Sequence, residues 1–149
     1  MTTLTPPYDS VLSDVLDYEH PALTQRLQRK LKISEAESLQ LFHDTKLFLF
    51  ICGVNTDRGY VPPKAIDNGW HEFLLYTEDY ANFCDRYFGR FLHHRPYQPE
   101  APINIRDGAL KTLTKAREVA GDELSDNWLA NELLEFASCG SCGCDACGD

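Results

Sequence analysis

Cys139, Cys142, Cys144 and Cys147 crowd the last eleven residues in the order C-x2-C-x-C-x2-C, with Gly140, Gly143 and Gly148 between or beside them. Thiolates suit soft or borderline ions, and glycines let the backbone turn tightly around one, so the tail predicts a site for Zn²⁺ or Cu(I) before Mg²⁺. Zinc ribbons keep about 15 to 20 residues between their two C-x2-C pairs. Here a single residue, Gly143, separates them. That crowding fits a metallothionein-like thiolate cluster on a flexible tail that orders when metal arrives. Two other readings use the same residues: a low-complexity end without a ligand, or a precursor whose C-terminal cysteines are enzymatically modified.

A second set of zinc-type ligands, His71, Cys84, His93 and His94, lies in the middle of the chain. On a straight helix the thirteen steps from His71 to Cys84 span roughly 20 Å, at about 1.5 Å each. Both could hold one ion only if the chain bends sharply near Thr77. Cys84 also sits on an apolar stripe with Trp70, Ala81 and Phe88, where a thiol is usually core. His71 lies off the centre of that stripe and predicts a hydrogen-bonded interface histidine. The enzymatic alternative pairs Cys84 with His93 or His94 as a thiol-based redox or metal-dependent centre, with Asp67 or Asp85 as the orienting carboxylate. Glu72, Glu78, Asp79 and Asp85 read as a solvated helix face, and Gly53, Gly59 and Gly69 form no phosphate-cradling motif.

Composition narrows the classes. The chain has 149 residues, 43% of them hydrophobic, enough for one core. Its 14 Lys and Arg against 23 Asp and Glu give a formal charge of −9, which repels nucleic-acid backbones; the basic group Arg26, Arg29, Lys30 and Lys32 reads as a solvated helix face. Leu47 to Val54 is the longest apolar stretch, far short of the roughly 20 residues of a membrane span. Met1-Thr-Thr-Leu-Thr-Pro-Pro has neither the charged nor the apolar region of a signal peptide, so a cytoplasmic location is expected. The clustered cysteines are not a disulfide framework spread over a small secreted fold.

The elements that must position these residues read as helices. Val11, Leu12, Val15 and Leu16 repeat at helical spacing, as do Leu23, Leu27 and Leu31. Ser34 and Glu37 have capping-box spacing and open a helix with Leu39, Phe42 and Leu49 on its apolar face. Pro62-Pro63 can start the next run, in which Ile66, Trp70, Phe73, Leu74, Thr77, Tyr80, Ala81, Cys84 and Phe88 share one side. It is one long helix, or two with a bend at Thr77. Leu110, Leu113, Ala116 and Val119 mark another helix, and Trp128, Leu129, Leu133 and Phe136 a last one. The expectation is an all-α single bundle of five or six helices over residues 1–137, centred on the Trp70–Phe88 run, with the tail at 138–149.

Val61, Pro62, Ile66, Asp67, Trp70, His71, Thr77, Tyr80, Cys84, Gly89, His93, His94 and Pro96 together resemble the bacterial relatives of the glycine-rich domain-containing proteins, over about residues 40 to 97. The resemblance implies a helical domain and a frequent Gly/Cys-rich tail, and it supplies no activity. The family pattern places a second histidine two positions after the first; Phe73 stands there in this chain. The function expected is a non-enzymatic binding or adaptor domain with a probable protein partner and a metal-binding tail.

Overall fold

Asp44 to Cys52 are buried in unbroken succession. A helix buried on all sides has no amphipathic stripe and must be enclosed by others. The computed structural model describes residues 8–55, 57, 59–95 and 105–129, and among these 76% are helical, in seven helices without a strand. They are α1 (Tyr8–Asp17), α2 (Pro21–Leu31), α3 (Glu35–Val54), α4 (Lys64–Leu74), α5 (Thr77–Phe88), α6 (Ile105–Ala120) and α7 (Asp126–Leu129). Each of the other helices except α7, a single turn, is at least ten residues long, and α1, α2, α4, α5, α6 and α7 all pack on α3.

The all-α class therefore holds, with three corrections of detail. There are seven helices among the described residues, not five or six, because the long apolar run divides. Leu75 and Tyr76 break it: α4 ends at Leu74, and Thr77 is the first residue of α5. The centre of the bundle is α3, not the Trp70–Phe88 run. On α3 Phe42 and Leu49 face inward as expected, but Leu39 does not: it is 53% exposed, and Leu41 is buried instead. The expected tail boundary at 137/138 and the expected helix residues Leu133 and Phe136 lie outside the described residues.

Local chemistry sets the helix ends. Ser34 Oγ accepts from Glu37 N at 3.0 Å and Glu37 returns a bond to Ser34 N at 2.9 Å, the reciprocal capping box read from sequence. These bonds hold the Glu37 carboxyl below its ordinary range. At α2, Pro21 opens the first turn and the His20 ring accepts from Leu23 N at 3.0 Å. The opposite ring nitrogen of His20 lies 2.7 Å from Asp79, tying α2 to the start of α5. Arg26 and Glu72 pair at 2.6 Å between α2 and α4.

The core is aromatic. Phe73 meets the edge or face of Phe42, Tyr80 and Phe83 at centroid distances of 5.4, 5.1 and 5.2 Å, an arrangement that adds to simple area burial. Trp70 is fully buried against Phe48, and its Nε1 donates to the Tyr80 hydroxyl at 3.0 Å. No helix among the described residues is long and apolar enough to cross a membrane.

Close approach of α4 to α3 depends on Gly69, whose added Cβ would collide with Thr45 Oγ1 and press on Leu41. Alanine is the better helix former by about 1 kcal/mol, but the collision outweighs that gain. Gly69→Ala is expected to cost about 1 to 3 kcal/mol in urea denaturation. Thr45→Ala, which removes the obstructing hydroxyl, should reduce that cost in the double variant.

Lys46 is buried on α3, where Nζ donates to the Leu16 and Tyr18 carbonyls at 2.7 and 2.6 Å and lies over the Phe42 ring. It closes the C-terminal end of α1, where cations are favoured. Burial lowers its pKa to about 8 against opposing attraction to Asp17 and Glu19. A folded-state pKa below the unfolded one means that the unfolded chain binds more protons between about pH 8 and 10.5, so this group's contribution rises with pH there. It is complete above the unfolded pKa and lost as pH falls through about 8. Stability curves of the protein and of Lys46→Met should therefore converge or cross in the protein's favour as pH rises through that window. Parallel curves would refute the assignment.

Candidate metal centre

Asp67 and His71 are four residues apart on α4, so they share a helix face. Asp67 lies in the first turn, where a carboxylate interacts favourably with the helix dipole. The third group comes from beyond α5. That helix ends at Gly89, whose φ of 70° is the left-handed conformation that glycine adopts without strain. The chain then returns across the bundle: Arg90 Nη2 donates to Cys52 O at 2.9 Å, and the Tyr80 hydroxyl donates to Leu92 O at 2.5 Å. Those ties deliver His94 to Asp67.

His94 Nε2 donates to Asp67 Oδ1 at 2.5 Å, and His71 Nε2 lies 3.3 Å from Asp67 Oδ2. The two imidazoles are tilted at 48° to one another with centroids 4.5 Å apart, and His94 packs on Trp70 at 4.3 Å. Donor atoms of all three residues lie within 4.8 Å of one another. The side chains of Asp67 and His94 are 2% and 7% exposed, while that of His71 is 41% exposed. The group is thus walled by the core on one side and reached by solvent on the other.

A tetrahedral ion with bonds of about 2.0 to 2.1 Å holds its donors roughly 3.3 Å apart. His71 Nε2 already has that separation from Asp67 Oδ2, His94 Nε2 lies closer to the other carboxylate oxygen, and one donor atom from each residue lies within 4.8 Å of the others, so a shared ion would require a small adjustment of the rings. One carboxylate and two imidazoles are a donor set suited to Zn²⁺ and Fe²⁺.

The structure separates the other sequence candidates from this group. Cys84 is fully buried beside Tyr80 and Leu92, and burial pushes its thiol up, against weaker opposing effects from the Leu92 backbone, Tyr80 and Arg90. The chain does bend between α4 and α5, yet Cys84 stays in the core while His71 turns to Asp67. His93 is exposed and stacks on Phe91 with centroids 4.7 Å apart. A histidine at position 73 would face the aromatic core that Phe73 fills, away from His71, so the departure from the family pattern leaves the metal group intact. The tail cysteines lie outside the described residues. A surface cleft lined by Leu31, Ile33, Leu41, Ala65, Asn68 and Asn127 opens elsewhere and includes none of the three ligands.

Asp67 is the candidate ligand that spacing alone suggested only as an orienting group. The signal was present: Asp-x3-His on one helix puts two ligands on one face.

A family model described as UCP032817-like matches residues 13–116, about two thirds of the chain and all of the metal group. The chain belongs to the UCP032817-like family. That description names no activity, and it does not connect the chain to the glycine-rich domain-containing proteins. No curated protein and no solved structure matches. The function of this UCP032817-like domain must therefore be argued from its site.

Because neutral buried thiols are poor nucleophiles, both core cysteines should be inert. In the full chain with the four tail cysteines replaced by serine, a disulfide reagent at neutral pH should titrate no thiol in the folded protein. Cys52 and Cys84 should both react in denaturant. Rapid labelling of Cys84 in the folded state would restore the thiol-based reading.

Proposed function

We propose that this protein is a divalent-metal-binding helical domain, with Zn²⁺ or Fe²⁺ held by Asp67, His71 and His94. The observation that carries the reading is the convergence of three donor groups from two separate segments to within 4.8 Å, with two of them almost completely buried. A buried carboxylate facing two imidazoles is costly to assemble. The bland alternative is an Asp67–His94 tie that only fastens the segment after α5 to α4. It accounts for the His94 contact but gives no role to His71, which is half-exposed and shares the carboxylate.

The C-terminal thiols remain a second, separate proposal. Cys139, Cys142, Cys144 and Cys147 suit Zn²⁺ or Cu(I), and they would compete for metal in any measurement on the full chain. Replacing them with serine isolates the helical site; adding them back reports the tail.

Titration calorimetry of the serine variant with Zn²⁺ should show one ion per chain. Asp67→Asn, His71→Ala and His94→Ala should each weaken binding by about tenfold or more. His71→Ala is the decisive substitution, because its half-exposed ring is not needed for packing. Binding should release protons and weaken as pH falls, since ligating imidazoles must be neutral. At a free metal concentration 100 times Kd, the fold should gain about 2.7 kcal/mol. Unchanged affinity in all three variants, or no binding by the parent, would leave the Asp67–His94 tie as a purely structural contact.

A further inference from the structure

Resting on the metal reading above, we propose that the centre is of the open kind, taking a small anionic ligand from solvent in a coordination position that the protein leaves free. Structural zinc sites are closed by four protein ligands, whereas sites that exchange ligands keep three and admit water or substrate. Here Asp67, His71 and His94 form the whole group among the described residues, with no fourth His, Cys, Asp or Glu donor. His93, next in the chain to His94, points to Phe91 instead.

The burial gradient fixes where the free position lies. Asp67 and His94 close the core side at 2% and 7% exposure, with Trp70 packed on His94, and the 41% exposure of His71 leaves its side to solvent. Charge selects the ligand class. A divalent ion bound by one carboxylate and two neutral imidazoles keeps a net positive charge, so hydroxide, a carboxylate or another small anion binds better than a neutral molecule. Glu72, the next carboxylate along α4, is held by Arg26 at 2.6 Å and does not compete for the position.

The test uses the full chain with the four tail cysteines changed to serine, loaded with Co²⁺ as a spectroscopic probe. Visible ligand-field bands that are present in this protein and lost in His71→Ala and His94→Ala establish the metal site itself. Azide is then titrated at constant ionic strength, with chloride as the balancing ion and neutral acetamide as a control. The expected result is a saturable, single-site change in the bands with azide and none with acetamide. Bands that form but ignore azide would show a closed shell and overturn this inference while the metal site stands. An equal response to acetamide would overturn the anion preference. Absence of bands in the parent would remove the metal site, and this inference with it.

Discussion

Enclosing α3 is the constraint from which the rest of the architecture follows. From Asp44 to Cys52 every residue of this helix is buried, so hydrophobic burial is available only if other helices cover it from every direction. Three polar residues are carried into that environment and each is matched. Asp44 accepts from Ser125 and Asn127 and so fastens the segment leading into α7. Thr45 donates to Leu41 O, and Lys46 donates to the end of α1. The helix therefore gathers its neighbours by specific bonds as well as by apolar area, which favours one arrangement over other compact ones.

Trp70 joins that core to the surface. One face of its environment is Phe48 on α3, another is the His94 ring, and its Nε1 reaches Tyr80 on α5. Tyr80 in turn donates to the Leu92 carbonyl, two residues before His94. The imidazole that meets Asp67 is thus held through an unbroken series of contacts running back to α3. Such supporting contacts decide whether a ligand set has a fixed geometry or merely contains suitable residue types. Among the described residues, no comparable support surrounds His93, whose neighbour Phe91 is itself partly exposed.

How much of this was legible in the sequence differs from element to element, for physical reasons. The capping box at Ser34 and Glu37 and the apolar stripe through Ile66, Trp70, Phe73, Tyr80 and Cys84 are local patterns, and periodicity or spacing reveals them. The central role of α3 was hidden by the same logic: a helix buried all round has no stripe, so Phe42 and Leu49 were legible as core while exposed Leu39 was grouped with them. The break falls at Leu75 and Tyr76, and neither residue is a glycine or proline that would announce it. Asp67 and His71 were visible as an i,i+4 pair. Their meeting with His94, 27 positions from Asp67, depends on the return path after Gly89, which no local pattern encodes.

The burial of Asp67 is what raises the centre above an ordinary surface ion pair. An exposed carboxylate beside a histidine gains little, because water solvates both. Removing a carboxylate almost fully from water costs several kcal/mol unless strong partners replace the lost hydration. Around Asp67 the two imidazoles approach from separate segments, His71 from the same helix and His94 from the return after α5. A divalent cation at the proposed site would add a strong electrostatic partner to this carboxylate. The His71 ring has the same logic from the solvent side. It contributes little to packing at 41% exposure, yet it stands over the one buried carboxylate on α4 at the distance a shared ion requires.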